Sequence, residues 1–192
     1  MKQIVLFVES KLLSFQKTRL GLDYYLKKRL NVRIFNISPI VRPEYFKKYF
    51  PTNRIKFPKE EILENKIQIL DAIKKFDSKT FVFLHITKSI KTKFIFDELE
   101  EKYIKYAYVQ VGNLPTKSRP IFEIIKFSFL FPIAAIKKIL SKYNDLENFG
   151  KKPNYVFCAG KKYYSDAKEK FKNSKIIKIP SWDYDEKISI NK

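Results

Sequence analysis

Short apolar runs rich in β-branched and aromatic residues alternate with segments of helical period along most of the chain, and this rhythm restricts the fold more than any other feature. "QIVLFVE" (3–9) reads as a buried strand, "LLSFQKTRLGLDYYLKKRL" (12–30) repeats apolar residues at helical spacing, and "VRIFNIS" (32–38) reads as the next strand, ended by Pro39. A strand, a helix and a second strand in that order are the signature of a parallel pair.

The rhythm persists. Strands are predicted at "TFVFLHI" (80–86), "KYAYVQVG" (105–112), "NYVFCAG" (154–160) and "KIIKIP" (175–180), with helices over 59–76, 91–104 and 163–172. The helix "KEEILENKIQILDAIKKF" (59–76) is read with acids in its first turn and lysines in its last, as the helix dipole prefers. Only "PIVRPEYFKKYFPTNRIKFP" (39–58) breaks the pattern, because its four prolines forbid a long regular element. The expected fold is α/β and Rossmann-like: a mostly parallel sheet of about six strands with helices on both faces. Residues 1–180 form one domain in this reading, and 181–192 a tail or the start of a linker to a second one.

Charge narrows the partners. Forty Lys and Arg against twenty Asp and Glu give a net charge of +20, which suits nucleic acid, an anionic membrane face or a phosphorylated ligand. A lysine-rich vocabulary that only solvates the surface accounts for the same figure. With 45% hydrophobic and 16% aromatic residues, the chain has material for a core and is not a disordered segment. A single cysteine, Cys158, rules out an internal disulfide and a Cys-built zinc site, and suits a reducing compartment. "MKQIVLFVES" reaches an acid too early for a signal peptide, so a cytoplasmic location is expected.

In an open parallel sheet, ligands gather outside the carboxyl ends of the strands. The residues that follow each predicted strand therefore form a candidate rim: Glu9 and Ser10, Asn36 and Ser38, His85 with Thr87 and Lys88, Gly112 and Asn113, Gly160 and Lys161, then Ser181 to Asp183. His85 is the only histidine and the one side chain whose ordinary pKa lies near neutrality, so it is a candidate general base; a structural, hydrogen-bonded histidine is the alternative. No G-x-G-x-x-G follows the first strand, since "VESKLLSFQK" holds no glycine, and no phosphate loop, G-x-S-x-G elbow or H-E-x-x-H occurs. These gaps argue against a nucleotide-dependent enzyme complete in this chain. The aspartates Asp183 and Asp185 beside Trp182 fall short of a cation site, because no further ligands stand at recognisable spacing; no metal is expected.

The segment "SRPIFEIIKFSFLFPIAAIKKILSKY" (118–143) is the most apolar, but its uncharged run from Phe127 to Ile136 is shorter than the roughly twenty residues of a membrane span. On a helical wheel Lys126, Phe127, Leu130, Lys137 and Lys138 share one face, which suits contact with an anionic bilayer surface and a peripheral position at the inner face of the cell membrane. A core helix kinked at Pro132 is the other reading. Basic residues interleaved with aromatics in "YFKKYF" (45–50) and "GKKYYS" (160–165) give a nucleic-acid reading its foothold.

The stretch "KPNYVFCAGKKYYSDAKEKFKNSKIIKIPSWDYDE" (152–186) resembles the end of the amino-terminal, acceptor-side half of GT-B-type glycosyltransferases of bacterial capsule and lipopolysaccharide biosynthesis. That resemblance implies an acceptor-binding half whose partner domain or subunit binds the nucleotide sugar, with no cofactor in this chain. The acceptor would be a glycan or a lipid-linked glycan. It also implies that Glu9 or His85 deprotonates an acceptor hydroxyl and that Lys88 and Lys161 hold acceptor or lipid phosphate. Ser10, Thr87, Asn113, Gly160, Ser181 and Asp183 would line the acceptor site. The competing class is a non-enzymatic basic α/β protein that binds nucleic acid or another anionic partner.

Overall fold

A computed structural model describes residues 3–10, 12, 20–49, 60–110, 152–159 and 161–179. In chain order the elements are β1 (Gln3–Val8), α1 (Leu22–Lys27), β2 (Asn31–Asn36), α2 (Ser38–Val41), α3 (Pro43–Tyr49), β3 (Glu60–Ile62), α4 (Lys66–Lys74), β4 (Thr80–His85), α5 (Lys93–Glu101), β5 (Lys105–Gln110), β6 (Tyr155–Ala159), α6 (Lys161–Lys170) and β7 (Lys175–Ile179). The strands form one sheet in the order β3-β2-β1-β4-β5-β6-β7, with every neighbouring pair parallel. The expected Rossmann-like α/β fold is present.

Strand alternation divides the core between two faces. Val5 and Phe7 of β1 join Ile69 and Ile73 of α4 and Ile95, Phe96 and Leu99 of α5 in one buried cluster. Ile4, Leu6 and Val8 join Leu22 of α1 and Val32 and Ile34 of β2 in another. Helices therefore cover both faces, as a parallel sheet with no solvent-facing side requires. On the α5 face, Ala167 of α6 and Phe171 just beyond it pack with Val156 and Cys158 of β6 and with Tyr108.

Among the described residues the sheet has seven strands, one more than expected, and the addition corrects the reading of 59–76. Glu60, Glu61 and Ile62 pair with Ile34, Phe35 and Asn36 as a short edge strand. Arg33 of β2 fixes that strand by donating from Nε and Nη2 to Glu61 Oε1 at 3.0 and 2.6 Å. Helix α4 starts only at Lys66: Asn65 Oδ1 accepts from the Gln68 N–H, and Gln68 Oε1 accepts from the Glu64 N–H at 2.7 Å. This is a variant of the reciprocal capping box, and it stops the helix before the acids; the first turn holds none, while Lys74 does stand in the last.

The single helix expected over 12–30 is also corrected at Gly21, after which α1 covers Leu22–Lys27; 13–19 lie outside the described residues. Gly21 precedes it at φ 67°, a left-handed conformation that interrupts a helix and costs glycine little, and Arg29 follows at φ 55°. Between β2 and β3, Pro39 and Pro43 act as expected, while Pro51 and Pro58 lie outside the described residues. Pro39 sits in the first turn of α2 and Pro43 opens α3, where a missing N–H breaks no helical bond.

Candidate functional site

The strand order reverses between β1 and β4, because the chain winds outward from β1 through β2 to β3 and then restarts at β4 on the other side. The carboxyl ends of those two strands mark the crevice that such a reversal leaves open. Val8 at the end of β1 is flanked by Asn36 of β2 and His85 of β4. Glu9, Asn36, Ser38, His85 and Thr87 are thereby gathered at one rim, as the sequence suggested.

Glu9 is buried, yet each of its oxygens is engaged. Oε1 accepts from Arg42 Nη2 at 2.6 Å and from Thr87 Oγ1 at 2.7 Å, and Oε2 accepts from the Thr87 N–H at 2.9 Å. Three of about four lone-pair positions are thus spent, and the carboxylate locks the loop after β4 to the start of α3. Asn36, fully buried, holds the neighbouring loop: its Nδ2 donates to the Ser10 carbonyl at 3.1 Å, and its Oδ1 accepts from the Ser38 N–H at 3.0 Å and from the Ser38 hydroxyl. Ser10 therefore enters the site through its backbone.

His85 shares a row with Val8, so alternation places it on the face of Phe83 and Val8, whereas the row of Glu9 begins the opposite face. Burial holds the imidazole below its ordinary pKa, and the Glu9 charge opposes this only in part. The ring is neutral at physiological pH, the form in which a histidine accepts a proton. The thiol of Cys158, by contrast, is pushed up to about 11 by burial on β6, which makes it no nucleophile.

Lys88 takes a different course from Thr87. Its ammonium lies 4.7 Å from the ring centroid of Phe171, 5.3 Å from Phe96 and 5.4 Å from Tyr108, within the layer between α5, α6 and β5. Burial, aided by the Lys170 charge and opposed by Glu100, draws its pKa down to about 8. Successive residues of one loop thus anchor in opposite directions, Thr87 on Glu9 and Lys88 among three rings.

Sequence reasoning missed Arg42, which no motif marks and which lies in the proline-rich stretch. The one available hint was a basic residue shortly after the end of a strand. Among the other candidates, Lys161 opens α6. Asn113, Gly160, Ser181 and Asp183, and the membrane-contact set Lys126, Phe127, Leu130, Lys137 and Lys138, lie outside the described residues. Among the described residues no helix is long and apolar enough to cross a membrane. No protein-family model matches the chain, and no curated protein matches it.

Proposed function

We propose that this chain is the acceptor-binding half of a GT-B-type glycosyltransferase of bacterial surface-polysaccharide synthesis, acting with a domain or subunit that binds the nucleotide sugar. The supporting observation is the rim at the strand-order reversal, where a neutral His85 stands beside a loop fixed by Glu9, Arg42 and Thr87. In this reading His85, rather than the heavily engaged Glu9, takes the proton from an acceptor hydroxyl. The acceptor oxygen then bonds to the anomeric carbon as the bond to the nucleoside diphosphate breaks. The glycine-free turn after β1 leaves no close backbone approach for a dinucleotide pyrophosphate, consistent with donor binding elsewhere.

The test is co-expression with a donor-binding polypeptide encoded beside this chain, followed by transfer of labelled sugar from nucleotide sugars to extracted lipid-linked glycan. Transfer should need both polypeptides and should fall at least about a hundredfold in His85→Ala, the usual range for a lost general base. Transfer by the 192-residue chain alone, or an assembled His85→Ala complex at full rate, overturns the reading.

One observation favours the competing class. On α3 the rings of Tyr45 and Tyr49 lie 5.1 Å apart, Lys48 stands 5.1 Å from the Tyr49 ring, and Tyr49 is 47% exposed. Such a basic aromatic surface can stack unpaired bases. Salt-sensitive binding of single-stranded RNA that Tyr49→Ala abolishes would support it, and its absence at physiological ionic strength would remove it.

A further inference from the structure

We infer that Arg42 and Lys91 form a phosphoryl-binding site at the mouth of this crevice, so that the acceptor carries a phosphate or diphosphate group. The inference rests on the acceptor reading for the nature of the molecule that bears the phosphate. A guanidinium has five N–H donors in a planar fork, and Arg42 gives one of them, on Nη2, to Glu9. Glu9 is buried while the Arg42 side chain is 49% exposed, so about half of that side chain stays open to solvent above the carboxylate it holds.

Lys91 reaches the same segment: its Nζ donates to the carbonyl of Val41, the residue before Arg42, at 3.3 Å. The Glu9 carboxylate cancels one positive charge, His85 is neutral, and the exposed Glu44 already faces Lys47 at 3.9 Å. The mouth therefore keeps a net positive charge, made of one fork and one point cation. That combination suits the two or more negative charges and several acceptor oxygens of a phosphoryl group. Lys88, which the sequence offered for this task, is occupied among its three rings. Arg42 has the further property of linking the ligand to the loop after β4: it holds Glu9, Glu9 holds Thr87, and the Thr87 loop follows His85 directly. An anion on Arg42 is one guanidinium away from the anchor of the proposed base.

The test uses the full chain and inorganic pyrophosphate, followed by chemical shifts of the backbone amides. Saturable shifts at Arg42, Thr87 and Lys91 are expected. Arg42→Lys keeps a cation for Glu9 but loses the fork, and should weaken binding at least about tenfold; Lys91→Gln should weaken it about threefold. Lys175→Gln, at the amino end of β7, should leave it unchanged. Flotation with vesicles of phosphatidylcholine, with and without phosphatidylglycerol, distinguishes the source. Capture by the anionic vesicles that Arg42→Lys abolishes places the phosphate on a lipid, and pyrophosphate binding without capture places it on a soluble molecule. No saturable shift, equal affinity in Arg42→Lys, or an equal loss in Lys175→Gln overturns the site. Because no sugar transfer is measured, phosphate binding that persists when transfer fails removes the glycosyltransferase reading and leaves the anion site standing.

Discussion

Replacing Lys88 by methionine isolates what burial costs a charged amine inside this fold. The folded pKa, about 8, lies below the ordinary 10.5. Below about pH 8 both states carry the proton and the folded chain bears the whole desolvation cost; between about 8 and 10.5 the unfolded chain keeps a proton that the folded chain has released. Stability must therefore rise with pH across that window. A shift from 10.5 to about 8 corresponds to at most about 3.4 kcal/mol at 1.36 kcal/mol per unit. Allowing for the partial exposure of the side chain, on the order of 1–2 kcal/mol should be recovered between about pH 7 and about pH 9.5. Methionine has a similar length, no charge, and a sulfur that packs well against aromatic rings, so it fills the same space without titrating. The assay is urea unfolding of both proteins at the two pH values. Subtraction cancels most contributions of the other lysines, and the stability of Lys88→Met relative to the natural protein should fall by about 1–2 kcal/mol as the pH is raised. A difference independent of pH would refute the reasoning, since it would mean that the ammonium among Phe96, Tyr108 and Phe171 remains as well solvated as in the unfolded chain.

Thr87→Val keeps the N–H bond to Glu9 but removes the hydroxyl bond at 2.7 Å, and should cost about 2 kcal/mol in urea unfolding, with Thr87→Ser close to the natural protein. His85→Gln should flatten the acid side of the stability profile. With the folded pKa of His85 held below its unfolded value, the natural protein loses stability as pH falls through about 6.5 toward the folded value, and the variant lacks that loss. Asn65→Ala removes the cap of α4 and should lower stability by about 1 kcal/mol, measured as a shift of the thermal midpoint.

The fold was legible because its signal is redundant. Each central strand is an apolar run, each helix repeats its apolar positions at helical spacing, and six strand positions agreed on one architecture. The seventh strand was not legible, because "EEI" has neither the length nor the composition of a strand. It exists through pairing with β2 and the Arg33–Glu61 ion pair, which join residues distant in sequence. Its discovery also moved the start of α4, for which "NKIQ" carried a usable capping signal that the acids before it obscured.

The site divides similarly. Glu9, Asn36, Ser38, His85 and Thr87 could be found by taking the residues after each strand, since topology alone brings those ends together. The direction of each side chain could not. Thr87 and Lys88 are adjacent polar residues on one loop, and only the rings supplied by α5, β5 and the end of α6 explain why the lysine turns inward. Arg42 escaped notice because it lies between two short helices and its partner Glu9 stands just beyond β1, 33 positions away.

The margins of the sheet limit how another polypeptide can join it. At one side β3 offers only three residues, tied down by the Arg33–Glu61 pair. At the other, β7 carries the exposed lysines Lys175 and Lys178. Short and charged border strands are poor templates for strand addition and guard against sticking between copies. The companion domain proposed above would then couple through the loops at the strand ends, where a small tilt between the two bodies would open or shut the space above His85. Control over the chemistry would in that case rest with the hinge between two rigid sheets, and neither sheet would need to deform.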